Sequence, residues 1–499
     1  MITVAVNGKQ YAVQEDENLK DLLARENLLA VPCGGRGVCG KCKAFVYGAK
    51  NPLTNEEKQT LTQTEIDSGI RLTCQVEVAD GLEVRTFSEN AYRIQGWAEE
   101  KSQAQTPMFT RYGVAVDIGT TTLASCLYDS EGTLLAQANA PNPQRGFGAD
   151  VVSRIQEALA GKAEALQEVI VKAINGLIEK LSMQARIKKE EIDGLVITGN
   201  TTMLYLFTGN SVEPLSHAPF VIEETFGKTY SAQELGITVA EGATVYLPPC
   251  AGAFLGADIV TAILSSNMFQ NEKTSLLADV GTNGEIALWR EGQLYMCATA
   301  AGPAFEGVGI SSGMAGQIGA IERVYLQDGK IAVKVIGNVK AKGICGSGVI
   351  DAVATLLKTG DIDETGFMEE DCVYLTPEVS FTREDVRAVQ LAKGAIHAGI
   401  RTLLRSVQIE VEKVDVLYLA GGFGSYLDIE KAGEMSLLPK ALTKKTQTLG
   451  NAALGGAVRL LLNTQERALC DRYAKTASVV TLSGNPVFTE EYMERMLFE

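Results

Sequence analysis

Three cysteines and four glycines share the ten residues Cys33-Gly34-Gly35-Arg36-Gly37-Val38-Cys39-Gly40-Lys41-Cys42. A fourth cysteine, Cys74, follows in Arg71-Leu72-Thr73-Cys74-Gln75. Packing alone does not explain that density. Thiolates ligate zinc or iron–sulfur clusters, and a glycine-rich loop can wrap a cluster and aim backbone N–H groups at its sulfurs. Structural zinc usually takes two compact cysteine pairs, whereas only Cys39 and Cys42 lie close here. A second group of residues suits phosphate and magnesium chemistry. Val114-Ala115-Val116-Asp117-Ile118-Gly119-Thr120-Thr121-Thr122 is an apolar run ending in a turn with one carboxylate and three hydroxyls. Asp117 can hold a hydrated Mg²⁺. Gly119 allows close backbone approach, and the hydroxyls and turn N–H groups can bind phosphate oxygens.

The Asp-x-Gly-Thr pattern recurs behind another apolar run, in Leu276-Leu277-Ala278-Asp279-Val280-Gly281-Thr282-Asn283-Gly284-Glu285. A strand-to-glycine turn follows each copy, at Val196-Ile197-Thr198-Gly199-Asn200-Thr201-Thr202 and at Tyr418-Leu419-Ala420-Gly421-Gly422-Phe423-Gly424. Such self-similarity predicts two duplicated α/β halves facing each other across a nucleotide. In this arrangement residues 111–465 resemble the acetate and sugar kinase, Hsp70 and actin (ASKHA) superfamily. The resemblance implies an ATP site in which Asp117 and Asp279 organise Mg²⁺ and water. It assigns Thr120, Thr121, Thr122, Thr282 and Asn283 to the phosphates, and Gly119, Asn200, Thr201, Gly281, Gly302 and Pro303 to the nucleotide site. Gly421, Gly422, Phe423 and Gly424 then admit the adenosine.

Plant-type [2Fe–2S] ferredoxins leave four residues in the first cysteine gap. Here five residues separate Cys33 from Cys39, and two separate Cys39 from Cys42. That spacing resembles the adrenodoxin-like [2Fe–2S] ferredoxins, which implies an α+β, β-grasp module with Cys33, Cys39, Cys42 and Cys74 on one cluster. The alternation Ile2, Val4, Val6, the Asn7-Gly8 turn and then Tyr11 and Val13 predict a hairpin at its start. The remaining cysteines, Cys126, Cys250, Cys297, Cys345, Cys372 and Cys470, form no short pair and read as small buried hydrophobes.

Composition narrows the partners. The chain has 499 residues, 46% hydrophobic and 21% charged, which suits several soluble domains. A formal net charge of −16 argues against nucleic acid or an anionic membrane. No apolar run reaches about 18 residues, and the N-terminus reads as a strand rather than a leader. A cytoplasmic protein with reduced thiols is expected. The expected order is a ferredoxin module over 1–95, a polar flexible linker over 96–110, the ATPase body over 111–465 and a peripheral tail over 466–499. The halves of the body are expected at about 111–245 and 246–465.

A ferredoxin module fused to an ASKHA body resembles the reductive activators of corrinoid-dependent enzymes. The sharper shared features include the two Asp-Gly-Thr loops and Gly302-Pro303-Ala304-Phe305-Glu306-Gly307. The resemblance implies ATP-dependent passage of one electron from the [2Fe–2S] cluster to cob(II)alamin, regenerating cob(I)alamin for methyl transfer. It also implies a corrinoid protein of a methyltransferase system as partner and a low-potential electron donor. Some members carry a further domain between linker and body that dimerises. With only 96–110 between the modules, that domain is expected to be missing, and a possible homodimer stays open. Three competing readings use parts of the same evidence. A small-molecule kinase leaves the four-cysteine module without purpose. A flavin reductase needs an Arg-x-Tyr-Ser/Thr signature, which is not found after residue 95. An Hsp70-like ATP switch could serve another metalloenzyme.

Overall fold

The computed structural model describes every residue except 1, 7–8, 15–17, 26–36, 38–41, 62–64, 67–68, 87–103, 149, 271, 422–426 and 499. The chain divides into two units, Met1–Ala91 and Tyr92–Glu499.

In the first unit Ile2, Val4 and Val6 face the core while Thr3 points out, as a half-buried strand requires. Five strands pair in the order Lys9–Val13, Ile2–Val6, Leu82–Thr86, Lys43–Tyr47, Ile70–Leu72. Ile2–Val6 is antiparallel to Lys9–Val13 and parallel to Leu82–Thr86. The helix Leu19–Arg25 adds Leu19, Leu22 and Leu23 to the same core. This is the expected β-grasp; the Asn7-Gly8 turn lies outside the described residues. Glu57, fully buried, takes Arg71 Nε and Nη2 at 2.7 Å each and Leu72 N at 3.0 Å. That fork pins the strand leading directly into Cys74.

The second unit carries two six-stranded sheets that share a five-stranded core topology and differ in one edge strand each. One runs Lys228–Ser231, Thr244–Leu247, Ile192–Gly199, Tyr112–Ile118, Thr122–Asp129, Leu134–Pro141. The other runs Thr446–Gly450, Val416–Ala420, Ser275–Val280, Asn283–Arg290, Gln293–Ala300, Ser478–Val479. In each, the strand bearing the key aspartate pairs in parallel on one side and antiparallel on the other. Helices cover both faces, so these central strands are apolar almost throughout. The helix Ala163–Ala185 covers the outer face of the first sheet with Leu166, Ile170, Ile174, Leu177 and Ile178, the period expected from sequence. The helices Gly346–Thr359 and Arg383–Ser406 do so for the second.

The inner faces are covered by exchange. The helix Ala452–Leu462 follows the second sheet in sequence but packs Leu454, Val458 and Leu461 against Ala115, Cys126 and Val196 of the first. The helix Ala257–Ser266 follows the first sheet but packs Ile259, Ala262 and Ile263 against Leu277, Ala287 and Met296 of the second. The two helices touch at Gly456, where a Cβ would come within 1.9 Å of Thr261 O. No side chain fits there.

Two expected boundaries change. Residues 104–110 are not a free linker: Gln105 N donates to Asn463 Oδ1 at 2.9 Å, Thr106 N to Leu462 O at 3.1 Å and Met108 N to Leu461 O at 2.9 Å, and Phe109 is buried. Polar composition suggested a tether, but backbone donors and the buried Phe109 dock it. Residues 466–499 are not a peripheral tail. The helix Arg467–Thr476 buries Cys470 and Tyr473, Ser478–Val479 joins the second sheet beside Tyr295 and Met296, and Phe498 N donates to Glu364 O at 2.8 Å. This stretch is as apolar as the chain at large, but its elements are short and interrupted by charges.

Glu57→Ala would leave the Arg71 guanidinium buried without its counter-charge, which costs about 3–5 kcal/mol. The first unit should therefore lose stability while the second unfolds as before. Urea unfolding of the full chain, followed separately by cluster absorbance and by far-ultraviolet circular dichroism, reads the two transitions.

Candidate functional site

Asp117 sits near the end of Tyr112–Ile118, and Asp279 near the end of Ser275–Val280. Each strand then turns on a corresponding pair of bonds, the first turn being one residue longer. Gly119 N donates to Thr122 O, and Gly281 N donates to Asn283 O, both at 3.1 Å. The next bonds match as well: Asn142 N donates to Thr121 O and Gly302 N to Thr282 O, each at 2.9 Å. The sequence duplication is thus a duplication of hydrogen bonds.

The carboxylates around these turns oppose one another. Asp258 stands in the first turn of Ala257–Ser266, and Glu285 pairs directly opposite Asp279 across the hairpin. Like charges placed so are unfavourable. Burial, and then the charge of Asp258, raises the Asp117 carboxyl to about 7, while the hydrogen bond from Asn451 opposes the rise. Asp279 is raised to about 7 by burial, then by Asp258 and Asp117. Burial raises Asp258 to about 6. Glu285 is held well above the usual carboxylate range by burial, then by Asp258 and Asp279. Asp117, Asp258 and Asp279 stay partly exposed. A set of hard oxygen donors needing positive charge fits Mg²⁺. Among the described residues no three acidic, histidine or cysteine side chains close around one point. Magnesium here would keep much of its water shell, as it commonly does beside nucleotide phosphates.

Neighbouring side chains fix the turns. Asn451 Nδ2 donates to Asp117 Oδ2 at 2.8 Å while its Oδ1 caps the helix Ala452–Leu462 through Leu454 N. Asn200 Nδ2 donates to Thr120 Oγ1 at 3.1 Å, and its Oδ1 caps the helix Thr201–Thr208 through Met203 N. Thr201, fully buried, donates to Gly252 O. Glu306, on the turn that begins at Gly302 and Pro303, accepts from Thr121 Oγ1 of one half and, at 2.7 Å, from Thr282 Oγ1 of the other. Gly421 has φ +109°, and a Cβ on it would come within 2.4 Å of Val280 O. Only glycine lets the chain pass there. Gly422, Phe423 and Gly424 lie outside the described residues.

In the first unit Cys42 Sγ and Cys74 Sγ are 3.3 Å apart, both buried. A disulfide needs about 2.05 Å, whereas two thiolates on one tetrahedral metal at about 2.3 Å stand roughly 3.8 Å apart. The pair therefore fits two ligands of one iron. Burial, with the neighbouring Cys74, pushes the Cys42 thiol up to about 11. Gln75 Nε2 donates to Cys74 Sγ at 3.5 Å. Cys33 and Cys39 lie outside the described residues. The other cysteines are buried or, at Cys372, half-buried, and burial pushes Cys126 and Cys250 up to about 12.

Both units match known proteins. A family model for a 2Fe-2S iron-sulfur cluster binding domain matches residues 2–79. One for the RACo middle region matches 112–271, and one for the C-terminal domain of RACo, the ASKHA domain, matches 273–499. The corrinoid activation enzyme RamQ of Eubacterium limosum is 34% identical over 418 residues, 78% of this chain and 70% of the relative. The [Co(II) methylated amine-specific corrinoid protein] reductase of Methanosarcina barkeri is 29% identical over 413 residues, 76% of this chain and 75% of the relative. A solved structure titled reductive activator for corrinoid, iron-sulfur protein superposes with a TM-score of 0.73 at 27% identity, covering 100% of this chain and 98% of that one.

The chain belongs to the reductive activators of corrinoid proteins.

The middle-region model falls on residues 112–271, the half-body that bears Asp117. The ASKHA match runs on through 466–499, in line with the docked C-terminal elements. Within the activator fold Asp117, Thr120, Thr121, Asp279, Thr282 and Gly421 converge on one cleft. Thr201 turns its hydroxyl into the packing, and Asn200 acts on Thr120. Sequence reasoning missed Asp258, Glu285, Glu306 and Asn451 as members of the site. Glu285 and Glu306 had a signal, their places in the quoted Leu276–Glu285 stretch and Gly302–Gly307 turn.

Bound Mg²⁺ requires ionised carboxylates. With Asp117 and Asp279 near 7 rather than 3.8, Mg²⁺-dependent ATP affinity should weaken as pH falls from about 8 to about 6, where ordinary carboxylates would remain ionised. Asp258→Asn removes a like charge acting on both groups and should move the decline to lower pH. Calorimetric titrations of the two proteins across that range, in which ATP's own titration is common to both, measure the displacement. Superimposable profiles would contradict the coupling.

Proposed function

We propose that this activator uses ATP to drive one electron from its N-terminal [2Fe–2S] cluster onto cob(II)alamin held by a corrinoid protein, regenerating cob(I)alamin. The observation that carries the reading is the union in one family member of a paired-thiol site, Cys42 with Cys74, and a duplicated Asp-Gly-Thr cleft. When bound, the cluster supplies one electron at a time. Cys33, Cys39, Cys42 and Cys74 hold it. Asp117 and Asp279 would hold hydrated Mg²⁺. Thr121, Thr122, Thr282 and Asn283 take the phosphates, while the turn from Gly421 to Gly424 admits the adenosine.

ATP can favour an uphill transfer only by binding one conformation more tightly than another. The exchanged helices Ala257–Ser266 and Ala452–Leu462 are suited to that. Asp258 and the Asn451 cap stand at their N-termini in the cleft, so a change in the cleft's charge acts on both helices. In this reading the closed arrangement engages the corrinoid partner, and hydrolysis releases it. Which methyltransferase system supplies that partner, and which low-potential donor recharges the cluster, are matters for assay.

Anaerobic mixing of the reduced protein with a Co(II) corrinoid protein should give ATP-dependent loss of the Co(II) absorbance and growth of the Co(I) band. Cys42→Ala should abolish both cluster absorbance and cobalt reduction while ATP hydrolysis by the body continues. Asp279→Asn should leave the cluster intact and slow hydrolysis by roughly 10²-fold or more. Cobalt reduction at full rate without ATP would refute the proposal.

A further inference from the structure

We propose that Glu306 is an internal clasp that competes with the nucleotide's terminal phosphates for the hydroxyls of both phosphate turns. Its two carboxylate oxygens take one hydroxyl from each half, Thr121 at Oε2 and Thr282 at Oε1. A threonine hydroxyl has a single proton to donate. Neither hydroxyl can donate to a phosphate oxygen while it donates to Glu306. The carboxylate is also a like charge to an incoming polyphosphate, in a cleft where neighbouring carboxyls are already desolvated. Nucleotide binding therefore displaces Glu306 from both threonines at once.

The surroundings suit a group that is held and then let go. Glu306 rides on a short turn in which its own N donates to Pro303 O at 3.0 Å and Gly307 N to Ala304 O at 3.0 Å. Behind the first phosphate turn lies Arg154, fully buried. It donates to Thr120 O at 2.6 Å, Gly148 O at 3.0 Å and Met203 Sδ at 3.1 Å. No carboxylate among the described residues forms an ion pair with it. Its positive field reaches Glu306 and equally serves the phosphate that takes Glu306's place. Beyond the turn, Ser311 N and Oγ donate to buried Asp385 at 2.6 and 2.9 Å, at the start of Arg383–Ser406. The segment that carries the clasp is thus anchored at its far end to the second half. As the Glu306 carboxylate is released, the link between Thr121 and Thr282 opens, and the phosphate chain replaces it as the bridge between the halves.

The inference rests on the cleft being the ATP site. The test is equilibrium binding of the Mg²⁺ complex of a non-hydrolysable ATP analogue to the full-length protein, wild type against Glu306→Gln and Glu306→Asp. Glu306→Gln removes the charge and one of the two acceptors, so it should bind about tenfold tighter, the worth of roughly one hydrogen bond. Glu306→Asp keeps the charge but shortens the reach and should fall between. Without nucleotide, Glu306→Gln should also melt at a lower temperature than wild type, and with saturating analogue the gap should close. If Glu306 instead ligates Mg²⁺ or activates water, Glu306→Gln will bind more weakly, or equally with slower hydrolysis; either result overturns the clasp alone. A wild-type protein that does not bind the analogue at millimolar concentration overturns the ATP-site reading and the clasp with it.

Discussion

Asp117, Asp258, Asp279 and Glu285 share one desolvated region, and the architecture of the body follows from keeping them there. Two equivalent strands deliver Asp117 and Asp279, an exchanged helix delivers Asp258, and a hairpin register puts Glu285 opposite Asp279. Their raised pKa values mean that the folded chain keeps protons the unfolded chain would release. These groups accordingly lower stability as pH rises from about 4 to about 7. A divalent cation reverses that sign, because it rewards the ionised form. Such a region would gain stability on binding a cation.

The halves are joined at that place by polar contacts rather than by apolar packing. Asn451 connects the cap of a second-half helix to a first-half carboxylate, and Glu306 connects two hydroxyls across the divide. Each is a single side chain with a geometric demand at both ends. Small displacements break such links outright, whereas the helices Ala257–Ser266 and Ala452–Leu462 meet in close backbone contact at Gly456 and Thr261.

Local chemistry was legible in the sequence, and long-range chemistry was not. The Asp-x-Gly-Thr turns declared themselves because strand, carboxylate, glycine and hydroxyls lie within a few residues. The β-grasp hairpin and the buried stripe of Ala163–Ala185 were readable from periods of two and of about 3.6 residues. Asp258 looks like any acidic residue in a helix's first turn, and Asn451 like any cap. Only tertiary contact gives either a role. The segment 104–110 misled because it docks through backbone amides and a single buried ring, Phe109, which its polar composition does not reveal. The C-terminal elements misled because a few buried residues, Cys470, Tyr473 and Phe498, do the anchoring amid many charges.

The exchange of helices also governs the order in which the body can be made. The inner face of the first sheet is covered by Ala452–Leu462, and the edge of the second is completed by Ser478–Val479. During synthesis, Ala115 and Val196 leave the ribosome hundreds of residues before Leu454 and Leu461 arrive to cover them. Contacts of such sequence separation form slowly, and an uncovered apolar sheet is prone to association meanwhile. The N-terminal unit draws its core from its own strands and helix, so it can fold at once. A nascent activator therefore carries a finished electron-transfer module well before it has a nucleotide cleft.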